Sequence, residues 1–127
     1  MAEIAWEIEA LASGEKMPDG VVAVVWKTLA NLDTGKPFIL PAFADKSVQV
    51  HGTFGAGGNC RIKGSNFTTG TPTWATLNDP QGNALDVTAA KIEQILENPY
   101  QIQPEITAGD GTTSLTVRLL ASTVARR

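Results

Sequence analysis

Turn residues cut this chain into short pieces, and that punctuation limits its possible folds more than any other feature. MPDG at 17–20, NLDTGKP at 31–37, GAGG at 55–58, NDPQGN at 78–83 and AGDGTT at 108–113 recur along its length. Gly, Pro, Asn and Asp in such clusters impose backbone geometries that regular elements do not carry through. The runs between them are too short for most helices, and several alternate with period two, as half-buried strands do.

KSVQVHGTF, residues 46–54, sets Val48, Val50, Gly52 and Phe54 on one face and Ser47, Gln49, His51 and Thr53 on the other. NCRIKGSN, 59–66, points Cys60, Ile62 and Gly64 inward against Arg61 and Lys63. With GAGG between them, the two runs predict a hairpin. YQIQPEIT, 100–107, and SLTVRLLAS, 114–122, predict a second hairpin around AGDGTT, with Gly109 and Gly111 supplying positive φ and Leu115, Val117, Leu119 and Ala121 facing inward. Pro104 cannot donate to a ladder, so its strand must have an open side there. VVAVVWKTLAN, 21–31, is the most apolar run and reads as a strand covered on both faces. FIL between Pro37 and Pro41 reads as a short edge strand or loop anchor, and Trp74–Leu77 as a short strand. TAAKIEQILEN, 88–98, has a helix's propensities in strand-rich surroundings; the reading adopted is a turn followed by a strand. At the N-terminus, Ile4, Trp6 and Ile8 alternate with Ala5 and Glu7. Helix formers are frequent there too, but an extended arm is the reading adopted.

Seven or eight short strands at regular spacing predict an all-β fold, an antiparallel β-sandwich or jelly roll with an extended N-terminal arm. A chain of 127 residues with 43% hydrophobic content fits a single domain over 1–127, with the arm at 1–16 and a C-terminal tail at 122–127. A net charge of −3 argues against nucleic acid as a partner. No apolar run reaches the roughly 18 residues that suggest a membrane span, and the acidic N-terminus does not read as a signal peptide. Cys60 stands alone, so no intrachain disulfide is expected, which suits assembly in a reducing cytoplasm.

Nothing in the sequence predicts catalytic residues, a metal site or a cofactor site. The single histidine, His51, and the single cysteine, Cys60, fall on opposite faces of the predicted hairpin. Asp79 and Asp110 each stand alone in a turn, too sparse for the oxygen-rich shell of calcium. TFGAGGN lacks the lysine and the following helix of a phosphate loop. Glu93 and Glu97 suit a solvated face better than a glycosidase pair. The remaining candidates are greasy groups for partner docking: Ile4, Trp6 and Ile8 on the arm, and Phe38, Phe43 and Phe67 near turns. An arm of this kind is expected to be dispensable for folding. Trp74 is expected to pack inward beneath its loop. Should it instead be exposed, Asn66, Asn78 and Asp79 are the polar groups that would complete a sugar platform.

The segments VQVHGTFGAGGNCRIKGSN…TWATLNDPQGNAL and IEQILENPYQIQPEITAGDGTTSLTVRL, between Val48 and Leu120, resemble the capsid decoration, or cement, proteins of tailed bacteriophages. The matched positions are Gly64, Trp74, Leu77, Pro104, Asp110 and Gly111, which the resemblance makes structural. It implies a β-sandwich on the outer surface of a virion, assembled in the bacterial host cytoplasm. It also implies a homo-oligomer, dimer or trimer, that bridges copies of the major capsid protein. The GSN…W…L element also occurs in discoidin-like carbohydrate-binding modules, which makes a host-adhesion module the alternative; a tail or baseplate component is a third. This chain carries Phe67-Thr68-Thr69-Gly70-Thr71-Pro72 where an Asp-Gly turn is expected after GSN, a departure that weighs against the sugar-binding alternative.

Overall fold

The computed structural model describes residues 2–9 and 18–124. Among them there is no helix; the chain is all-β. Twelve strands follow in order: β1 (Glu3–Ile4), β2 (Trp6–Ile8), β3 (Val21–Leu29), β4 (Thr34–Gly35), β5 (Phe38–Ile39), β6 (Asp45–Thr53), β7 (Asn59–Ser65), β8 (Ala75–Thr76), β9 (Asp86–Val87), β10 (Lys91–Ile95), β11 (Gln101–Ala108) and β12 (Ser114–Ser122). They form a β-sandwich. One sheet runs β10-β6-β12-β3-β2; the other runs β1-β4-β11-β7-β8, with β5 also beside β11 and β9 beside β7. Every pairing between strands is antiparallel except β1 with β4.

The core lies between the sheets. Val24, Trp26, Val48, Val50, Leu115, Val117 and Leu119 enter it from the five-stranded sheet, and Cys60, Ile62, Leu77, Val87, Ile102 and Ile106 from the other. These inward faces follow the alternation in β6, β7 and β12. In β3 the alternation breaks. Leu29 lies opposite Leu115 while Trp26 lies opposite Val117, so Lys27 and Thr28 face Thr116 alone. Thr28 takes a φ of 60° at this bulge. The extra residue returns Leu29 to the core, whereas strict alternation from Trp26 would turn it to solvent.

Neither expected hairpin forms. β6 and β7 belong to different sheets, as do β11 and β12, so GAGG and AGDGTT are corners where the chain crosses the sandwich. Both sheets direct their apolar face at the same core, so an inward pattern is identical whether the chain folds back within a sheet or crosses to the other. The two corners hold each other. The Ala56 N–H donates to Asp110 Oδ2 at 2.9 Å, and Thr113 Oγ1 donates to the Phe54 carbonyl at 2.8 Å. Positive φ is found at Gly55 and Gly57 of the first corner, not at Gly109 or Gly111 of the second. There Asp110 does the shaping, its Oδ1 accepting from both the N–H and the hydroxyl of Thr112.

The N-terminal arm is part of the sandwich. β1 lies parallel to β4 in one sheet; after Ala5, β2 runs antiparallel to β3 at the edge of the other. One short segment thus edges both sheets at the same side, which answers the edge-strand problem locally. Residues 1 and 10–16 of the expected arm lie outside the described residues. At the other end, Ser122 closes β12, and the Thr123 N–H donates to the Gly20 carbonyl. Residues 125–127 of the expected tail lie outside the described residues.

β4 and β5 both lie along one side of β11, and Pro104 falls at the break between them. Its partner on β7, Ile62, sends its own N–H and C=O away to Leu85 and Leu77. The Pro104 nitrogen therefore faces the β4–β5 side, where the ladder is interrupted, and the missing donor has the open side the sequence required. Gly35 fills that break. A Cβ there would sit 2.5 Å from Trp26 Cδ1 and 2.7 Å from Pro104 Cδ, so only glycine lets β4 approach both rings. The Trp26 indole N–H donates to the Lys36 carbonyl at 3.0 Å, and Gln103 Nε2 to the Gly35 carbonyl at 2.8 Å.

Candidate functional site

The polar stretch 64–85 has the composition of a binding loop, and the structure shows where its polar groups go. Ser65 Oγ accepts from the Phe67 N–H, and Asn66 Oδ1 from the Tyr100 N–H. Asp79 Oδ1 accepts from the Gln81 and Asn83 N–H groups, both at 2.9 Å. The bond from Asn83 is the main reason its carboxyl sits below the usual carboxylate range. Asn78 donates through its backbone N–H and its Nδ2 to the two oxygens of Glu97, at 2.8 and 2.7 Å. These are Asx turns and backbone caps.

Trp74 does not pin the core from below. It is half-buried, outside the core cluster, and lies with Lys63 on the outer face of the seven-stranded sheet. The Lys63 ammonium sits 5.7 Å from the ring centroid and is held by Glu105 at 3.1 Å. Register explains the position. Thr76 pairs with Lys63, and Trp74 shares its parity, whereas Ala75 pairs with inward Gly64. Asn66 and Asp79 are spent on backbone N–H groups and Asn78 on the Glu97 carboxylate, so the structure does not assemble the sugar platform around Trp74.

The docking candidates separate by burial. Phe38 is a core residue at 8% exposure, and Trp6 meets it edge-on with ring centroids 5.1 Å apart. Trp6 Nε1 also donates to the Pro37 carbonyl. Ile4, Trp6 and Phe43 pack half-buried against the core, while Ile8 and Phe67 are exposed. Phe67 stands at a cavity of about 340 Å³ bordered also by Ser65, Leu77, Asn98 and Pro99.

The sequence reading passed over the outer face of the five-stranded sheet. Leu120 and Ile92 are exposed there, flanking Arg118, which pairs with Glu9 and donates through Nε to His51 Nε2 at 3.2 Å. The signal was available: alternation that sends Leu119 inward sends Leu120 outward. His51 and Cys60 lie in different sheets. Burial, reinforced by the charge of Asp86, pushes the Cys60 thiol up to about 12, which leaves it unreactive at neutral pH. Among the described residues, no group of three or more His, Cys, Asp or Glu side chains is placed to hold a metal.

No family model and no curated protein matches the sequence. The fold does have a counterpart. The chain is similar to the crystal structure of the SPBc2 prophage-derived protein YomS, with a TM-score of 0.58 and 10% sequence identity. The match covers 84% of this chain and 98% of YomS. At that identity the likeness is one of fold: the sandwich here contains nearly all of YomS.

Proposed function

We propose that this chain is a structural protein of a phage particle, docked on the outer surface of the capsid and bridging copies of the major capsid protein. The observation that carries the reading is the fold shared with a prophage-derived protein across nearly that protein's whole length. Two further features support it. The polar side chains that look most like ligands for small molecules are engaged in closing turns, so they serve the scaffold. The exposed apolar groups Ile8, Phe67, Ile92 and Leu120 lie on rigid strands or beside them, where they can grip a protein surface. A lattice of identical sites multiplies such modest contacts, and a dimer or trimer of this chain would multiply them again.

Mixing the purified protein with undecorated capsids tests the reading. Saturable binding at a fixed ratio per capsomer is expected, reduced at least tenfold in affinity by Phe67→Asp combined with Leu120→Asp. Absence of saturable binding would overturn it.

A further inference from the structure

Lys46 occupies a place that a lysine rarely holds. It shares the inward parity of Val48 and Val50 on β6, lies opposite Ile95 of β10 and Ala121 of β12, and is only 1% exposed. An ammonium taken out of water is costly unless a carboxylate pairs with it. Among the described residues, no carboxylate lies within ion-pairing distance of Lys46. Its Nζ contacts two neutral acceptors, the Phe43 carbonyl at 3.4 Å and Asn98 Oδ1. Burial lowers its pKa, against the opposing charges of Asp45 and Glu97, and so favours the neutral amine, which is the nucleophilic form.

We propose that Lys46 and Asn98 become joined by an isopeptide bond. The geometry supplies the reactants: an amine held out of water against the side-chain carboxamide of Asn98, in the connection between β10 and β11. The neutral Nζ attacks Asn98 Cγ, and a Cγ–Nζ bond forms as the Cγ–Nδ2 bond breaks. One amine proton passes to the departing nitrogen, and ammonia leaves. No oxidant, metal or cofactor is required. Asn98 borders the open cavity beneath Phe67, which gives the ammonia a way out. Two carboxylates act on Lys46 through their charge. Asp45 leaves β6 on the opposite, outer face, where Gln94 donates to it, so Glu97, next to Asn98 in the chain, is the carboxylate on the reactants' side; it lies beyond direct reach of Nζ and would take the proton through a bridging water. Glu97 is held by Asn78 and stays below its ordinary value although burial pushes it up, so it is ionised at neutral pH and able to accept a proton. The bond would remove the buried charge altogether. It would also tie β6 of one sheet to the segment entering β11 of the other, across 52 residues of chain.

Intact-mass spectrometry of the purified full-length chain reads the reaction directly. The expected mass is that of the sequence less one molecule of ammonia, and trypsin should release a branched peptide joining the segments that contain Lys46 and Asn98. Asn98→Ala should restore the full mass. Because that variant can also disturb packing, Glu97→Gln provides a second test: it leaves both reactants in place and should leave most chains at full mass. A folded wild-type chain at full mass, or ammonia lost with the branch mapped to other residues, overturns the proposal.

Discussion

Gly35→Ala is the substitution whose cost follows most directly from the structure. The added methyl would fall 2.5 Å from Trp26 Cδ1, 2.6 Å from Trp26 Nε1 and 2.7 Å from Pro104 Cδ. All three atoms belong to rigid rings within the packed interior, so no flexible side chain can yield. Forcing a methyl into such a site costs about 1–3 kcal/mol. If the indole moves to relieve the clash, its N–H loses the Lys36 carbonyl, and a buried unsatisfied donor adds about 1–3 kcal/mol more. The sum, about 2–6 kcal/mol, lowers the melting temperature by on the order of 10 °C in a domain of this size. Thermal unfolding followed by near-ultraviolet circular dichroism reads both the shift and the changed packing of Trp26. Gly111→Ala is the internal control: a Cβ there meets nothing within 4 Å and φ is not left-handed, so the change should be neutral or stabilise by up to about 1 kcal/mol. Gly35→Ala melting within about 2 °C of wild type would refute the close approach of β4 to Trp26 and Pro104. A strongly destabilised Gly111→Ala would refute the account of the second corner.

The remaining predictions concern that corner and the N-terminal segment. The Thr112 hydroxyl, with the Ala56 and Thr112 N–H groups, holds the Asp110 carboxyl down to about 2. Its folded value lies below the unfolded value of about 3.9, so its contribution is fully present above that range and is lost as pH falls towards about 2. Denaturation midpoints measured from pH 6 to pH 2 should therefore fall less steeply for Asp110→Asn than for wild type; parallel curves would show that the carboxylate does not couple the corners. Trp6→Ala should cost about 1.5–2.5 kcal/mol by urea unfolding, roughly half the loss for a fully buried tryptophan. Deleting residues 1–8 should cost more, because both sheets lose an edge strand. An unchanged midpoint in the deletion would restore the idea of a dispensable arm.

Period-two patterns carried the inward faces of β6, β7 and β12 into view before any coordinates, and the turn-plus-strand reading of 88–98 agrees with β10. Sheet membership was not legible. Val50 and Cys60 face one core from opposite sheets, and their alternation is the same as that of a hairpin. Nor does local alternation show the bulge at Lys27–Thr28, since whether Leu29 points in depends on one extra residue opposite Thr116. Lys46 is a different case. Its parity with Val48 and Val50 was readable, but its charge argued for the surface, and only three-dimensional packing reveals that parity wins. Trp74 differs the other way: it was expected to pack inward beneath its loop, while its parity with Thr76 and Lys63 sets it on the outer face.

The polar character of this chain's loops follows from the way its sheets are joined. A sandwich whose strands cross between layers at β1–β2, β3–β4, β5–β6, β6–β7, β9–β10, β10–β11 and β11–β12 leaves backbone N–H groups at its corners with no ladder partner, and buried ones must find another acceptor. Side-chain oxygens supply it. Asp33 accepts from the Ala2 and Ala30 N–H groups at the β3–β4 crossing, and Asp110 from Ala56 and Thr112 where the β6–β7 and β11–β12 crossings meet. Asn66, Asp79 and Glu97 do the same in the connections around β8, β9 and β10. The residues most easily mistaken for ligand-binding groups are thus the ones that make the crossings possible. On the proposed reading, recognition falls to outward apolar side chains such as Ile8, Ile92 and Leu120 on the strands and Phe67 beside the cavity. A surface of that kind suits a protein partner better than a small polar molecule.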